Sequence, residues 1–169
     1  MKEITKKAIV IAIIAGILVL IDGFLSKLLN QTNSFTWVAF VSWTVFFGVS
    51  VKERLKAVIG YIIGFCAAVA VIKLGNLFSG INTTYVAFGS ILATMLINFL
   101  VMELESIEKY FPLSISGIFV GILLTFSGLG AGLTINTFES SMLILGIILI
   151  YGILGLVCGF ATLKFGTKK

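Results

Sequence analysis

Asp22 stands inside an apolar run that begins at Ala8, about 22 Å along it at helical rise. Lys73 stands at a similar depth in another run that begins at Ala57. An ionisable side chain in such surroundings is costly unless it is paired or wetted. A carboxylate and an ammonium at one level can form a coupled pair at the mouth of a path, or a gate. In the plainer alternative, both reach out to lipid headgroups and do nothing more.

Other polar residues fall into patterns. Ser90, Thr94 and Asn98 recur at four-residue steps, so they share one helix face. Asn98 is the most costly of the three to leave in lipid, so the face must turn toward another helix or a wet cavity. Packing and pore lining stay equally open for it. Small residues form three further stripes: Gly60, Gly64, Ala67 and Val71; Ser114, Gly117, Gly121, Thr125 and Gly128; and Gly152, Gly155, Gly159 and Thr162. Such stripes let backbones approach closely, which favours helix packing over a narrow pore. Thr125 supplies the hydroxyl by which its stripe can join a polar path. Phe40, Trp43 and Phe47 share a face that can constrict such a path or simply meet lipid.

Several chemistries are absent. The chain has no histidine, which excludes histidine-ligated metal and histidine proton relays. Gly128-Leu-Gly-Ala-Gly132 lacks the lysine and preceding strand of a phosphate loop, and is expected to end a helix. Cys66 and Cys158 lie inside apolar runs, where cysteine is a small packing residue rather than half of a disulfide. Glu103 and Glu105 at the edge of a run admit a membrane enzyme as a third reading, but solvated carboxylates are the common case there. No nucleophile–base pair, nucleotide motif or metal cluster is present. The expectation is a protein that is not an enzyme and needs no cofactor and no metal.

The elements that must position these residues follow from composition. Hydrophobic residues make up 59% of 169 and charged residues 11%, with a mean hydropathy of +1.18. Soluble domains carry about 25% charged residues. Crossing a bilayer core takes about 20 apolar residues in a helix. Six runs suffice: residues 8–28, 35–51, 57–78, 84–102, 112–133 and 141–163. The connections, at 29–34, 52–56, 79–83, 103–111 and 134–140, are too short to fold alone. Backbone groups in lipid must be satisfied internally, so the spans are helices, and no alternating strands suggest a barrel. The expected fold is all-α: one transmembrane domain over residues 1–169, a bundle of six helices. The first run is long and has no small-residue cleavage pattern, so it reads as an uncleaved helix.

Orientation follows from Lys and Arg. With the N-terminus inside, Lys2, Lys6, Lys7, Lys52, Arg54, Lys56, Lys109, Lys164, Lys168 and Lys169 all fall on the cytoplasmic side. Lys27 and Lys73 fall on the outer half, with Asp22. Both termini are therefore expected in the cytoplasm of a bacterial cell, with the chain in its cytoplasmic (inner) membrane. The net charge of +5 flanks apolar runs instead of forming a patch, which points to anionic lipid and away from nucleic acid. Asn30-Gln31-Thr32 and Asn82-Thr83-Thr84 read as turns rather than glycosylation sites.

Three spans per half permit a 3+3 inverted repeat. Phe40-Val-Ser-Trp-Thr-Val-Phe-Phe-Gly48 loosely matches Phe119-Val-Gly-Ile-Leu-Leu-Thr-Phe-Ser-Gly128. Cys66 with Ile72-Lys-Leu-Gly75 loosely matches Cys158 with Leu163-Lys-Phe-Gly166. Two stretches carry a family resemblance. Trp37-Val-Ala-Phe-Val-Ser-Trp-Thr-Val-Phe-Phe-Gly48, then a short basic link, resembles the aromatic central segment of domain-of-unknown-function family 1097, small bacterial inner-membrane proteins. Ser116-Gly-Ile-Phe-Val-Gly121 resembles its Pro-Gly-x-Phe-Ile-Gly segment, with Ser116 in place of proline. The resemblance covers most of residues 10–165. It implies an integral membrane protein of several spans and brings no agreed substrate or catalytic residue.

The expected function is a carrier or channel for a small solute. Ser90, Thr94, Asn98 and Thr125 would line its path, and Asp22 with Lys73 would sit near its outer mouth. Six short helices leave little room for a wide pore, so a homo-oligomer with a path between copies also fits. The alternative is a non-transporting structural or regulatory subunit of a membrane assembly that packs through its small-residue faces.

Overall fold

A computed structural model describes residues 3–28, 35–44, 51–83, 87–107 and 110–166. Among the described residues the chain is all-helical, with six α-helices and no strand. They are α1 (Glu3–Leu28), α2 (Thr36–Thr44), α3 (Val51–Leu77), α4 (Phe88–Glu103), α5 (Ile115–Gly130) and α6 (Phe138–Gly166). Short 3-10 turns follow α3 at Phe78–Ile81 and α4 at Leu104–Ile107. The helices group into two compact units, one formed by Met1–Leu55 with Gly146–Lys169 and the other by Lys56–Leu145.

Two stretches are long and apolar enough to cross a membrane: Lys56–Ile81, with a hydropathy of 2.3, and Phe138–Gly166, with 2.7. Ile9–Asp22, Phe88–Glu103 and Ile115–Gly130 are shorter apolar helices. The apolar run at 112–133 is longer than α5 inside it because caps end the helix at both sides. At the start of α4, Asn82 Oδ1 accepts the Gly89 N–H at 2.8 Å, so this asparagine serves a turn. Ser114 caps α5, its hydroxyl accepting from Gly117 N at 3.1 Å. The far end of α5 closes in a Schellman arrangement. Leu133 N donates to Gly128 O at 3.1 Å and Gly132 N to Leu129 O at 3.0 Å, with Gly132 at φ 93°. The glycine-rich stretch therefore ends the helix, as its composition predicts. Thr137 and Ser140 exchange side-chain-to-backbone bonds at the start of α6, both at 3.1 Å.

Residues 52–56, expected to connect two spans, are helical and form the first turn of α3 ahead of the apolar run. Lys52, Glu53, Arg54 and Lys56 are good helix formers, so the charges mark where the apolar run begins and not where the helix begins.

In the second unit the small-residue stripes are packing surface. A Cβ on Gly60 would lie 2.7 Å from the Gly117 carbonyl carbon, and one on Gly64 would strike Ile118 O and lie 2.8 Å from Gly121 Cα. The reverse holds for Gly117 against Ala57 Cα, 2.8 Å, and for Gly121 against Tyr61 O, 2.7 Å. Backbone thus meets backbone between α3 and α5, as small-residue helix pairs allow. Ser114, Gly117, Gly121, Thr125 and Gly128 are all buried, as are Gly60, Gly64 and Val71, while Ala67 is half-buried. By contrast α4 buries only Gly89, Ala93 and Val101.

Candidate functional site

The first unit gathers its polar groups around Asp22. On α1, Leu18 and Asp22 are one turn apart and both buried, at 0% and 5% exposure, while Leu20 and Phe24 face out. Phe35 lies just before α2 and Tyr151 lies midway along α6, and both are fully buried. The Tyr151 hydroxyl donates to Asp22 Oδ1 at 2.5 Å. The Phe35 backbone N–H donates to the same oxygen at 3.1 Å. The Phe35 ring meets the Tyr151 ring edge-on, with centroids 6.0 Å apart. One carboxylate oxygen thus joins three elements, and it sits at the N-terminus of α2, where a negative charge is favoured.

The rest of α2 is fastened to α6 by close approach. Ser42 Oγ donates to Gly152 O at 2.5 Å. One turn on, a Cβ at Gly155 would strike Ala39 O and lie 2.8 Å from Ser42 Cβ. Gly152, Gly155, Gly159 and Thr162 are all buried, so this stripe is packing surface too. Trp43 is 4% exposed and stacks on Phe40, centroids 5.8 Å apart and planes 16° from parallel. Among the described residues, Trp43 Nε1 is the buried side-chain polar atom with no hydrogen-bond partner. The third aromatic of that set, Phe47, lies outside the described residues, as does Asn30-Gln31-Thr32.

The remaining candidates fall in the second unit. Lys73 is exposed on α3. Ser90 and Thr94 are exposed on α4 and Asn98 is half-buried. Thr94 Oγ1 donates back to Ser90 O at 2.8 Å, and buried Thr125 Oγ1 donates back to Gly121 O at 2.8 Å. A threonine that bonds its own helix is satisfied without a partner. Cys66 and Cys158 are free thiols.

A family match covers residues 8–167, nearly the whole chain. The chain belongs to the family Protein of unknown function (DUF1097). Neither a curated protein nor a solved structure matches it. In this DUF1097 chain the sequence singled out Asp22 but not its partners. Tyr151 carried a usable signal, a phenol hydroxyl in the middle of the longest apolar run instead of near its end. Phe35 carried none, because its contribution is a backbone N–H that every residue but proline has.

Proposed function

We propose that this chain is a multi-pass protein of the bacterial cytoplasmic membrane, with both termini in the cytoplasm, that carries a small solute. The observation that carries the reading is Asp22, a carboxylate 5% exposed within an apolar helix and held by Tyr151. Ionisable groups in membrane helices mark solute and ion pathways because they are too costly to keep otherwise. The membrane setting draws support from large apolar side chains that stay more than half exposed, among them Ile13, Leu20, Phe24, Met95 and Phe99. The reading keeps six spans in two halves of opposite orientation, and it includes no enzymatic step.

Ser90, Thr94 and Asn98 form a second polar feature on the open side of α4. A path along them takes its other wall from a second copy of the chain. That same face favours the second reading, a non-transporting subunit of a membrane assembly. The small-residue faces do not favour it, since they are packed within each unit.

Flux into reconstituted vesicles, measured for a panel of small metabolites and ions, tests the carrier reading. At least one solute should enter, and Asp22→Asn should slow its entry while the protein stays folded. Flux of no solute, or equal flux in wild type and variant, would overturn it.

A further inference from the structure

We infer that Asp22, Tyr151 and the Phe35 amide form a proton-operated latch, in which protonation of Asp22 frees the N-terminus of α2 from α1 and α6. The inference names the coupling ion of the proposed carrier, and its role in transport rests on that reading. The latch itself can be read without any flux.

Both hydrogen bonds end on one carboxylate oxygen, from a phenol on α6 and from the backbone entering α2. Bonds to an ionised acceptor are about twice as strong as neutral ones. The N-terminus of α2 adds a favourable interaction that also depends on the negative charge. When a proton from water forms an O–H bond on the carboxyl, all three interactions weaken together. A hydronium ion supplies that proton as its own O–H bond breaks, and water takes it back when the latch closes.

Beyond the latch, α2 is held by packing, with Val38, Ala39 and Trp43 buried. It is nine residues long, too short to be stable by itself. Past the latch it keeps the Ser42 bond to Gly152 O and the close contact at Gly155. No residue of α2 is titratable. On α6, Tyr151 faces Asp22, while Lys164 is exposed 13 residues further on, about 20 Å at helical rise. On α1, Lys27 is exposed in the last turn. Asp22 is thus the titratable carboxyl that the described parts of these three helices bring together with α2.

Asp22 is the single aspartate of the chain, so a carbon-13 label on the aspartate carboxyl reports on it alone. The experiment follows that label by NMR in lipid nanodiscs across the pH range where the protein stays folded. On the same samples, amide hydrogen exchange is measured over residues 35–44 and corrected for the intrinsic effect of pH. Acidification should shift the label and, over the same pH interval, raise exchange in 35–44 about tenfold. Asp22→Asn should remove the pH dependence of exchange. Tyr151→Phe should move the titration of the label, which a purely structural tyrosine would not do. A label that never titrates, or an exchange profile independent of it, overturns the latch. Should Asp22→Asn fail to fold, the wild-type label and exchange curves still decide. A titrating latch without flux would remove only the carrier reading, and flux without a titrating latch would remove only the latch.

Discussion

The Tyr151 hydroxyl and the Asp22 carboxylate meet at 2.5 Å although 129 residues separate them in the chain. Their contact joins the last helix of the first unit to its first helix. Tyr151→Phe keeps the ring and its packing on Phe35 but removes the donor. It should destabilise the protein by about 1.5–3 kcal/mol, the range for hydrogen bonds to charged groups. Denaturant unfolding in detergent, with Asp22→Asn and the double variant, gives the coupling energy. Additive effects would mean the two side chains do not depend on each other.

Gly64 and Gly16 offer a matched comparison. A Cβ at Gly64 meets α5 backbone, while one at Gly16 meets nothing within 4 Å. Gly64→Ala should destabilise by about 1–3 kcal/mol, because two helix backbones must separate. Gly16→Ala should stabilise by up to about 1 kcal/mol through helix propensity. Thermal unfolding of both variants should therefore shift in opposite directions.

At the end of α5, Gly132 has φ 93°, where a Cβ is strained, and Gly130 is helical with open space around it. Gly132→Ala should cost about 1–2 kcal/mol. Gly130→Ala should be neutral or stabilising, as measured on the same unfolding curves.

Trp43 brings a buried N–H without a partner. Replacing it by phenylalanine removes ring volume but also removes an unsatisfied donor, and the two effects oppose each other. Trp43→Phe should cost less than about 1 kcal/mol, whereas Trp43→Ala should cost about 3–5 kcal/mol. A large loss in Trp43→Phe would show that the lost ring volume outweighs the removed donor.

On α4, Thr94 and Met95 are neighbours, both exposed. If the Ser90, Thr94 and Asn98 face lines a path, a cysteine at 94 should react with a charged thiol reagent. A cysteine at 95, which the proposed membrane setting turns toward lipid, should not. The background is the chain with Cys66 and Cys158 replaced, and labelling is read by mass shift. Equal protection at both positions would remove the path from this face.

How much was legible in advance differs by element. The all-helical class was legible because apolar runs without alternation have one way to satisfy their backbone in lipid. The end of α5 was legible because Gly128-Leu-Gly-Ala-Gly132 offers a residue tolerant of positive φ where the helix must stop. The span expected from residue 57 lies inside α3, which begins earlier, at Val51, since helix formation depends on propensity and the apolar count ignores it. The stripes at Gly60 and Gly117 predicted close packing but not which stripe would meet which.

Composition and spacing by themselves determined the helices, the small faces on α3, α5 and α6, and the presence of an ionisable group inside an apolar run. These are properties of neighbours along the chain, within a few turns of one helix. Tertiary structure alone decided that Asp22 turns inward, that Tyr151 and the Phe35 amide share its oxygen, and that Ser90 and Thr94 face out. Those outcomes depend on which backbones can approach closely. That is set by contacts between residues far apart in sequence, such as Gly155 with Ala39 and Gly64 with Gly121.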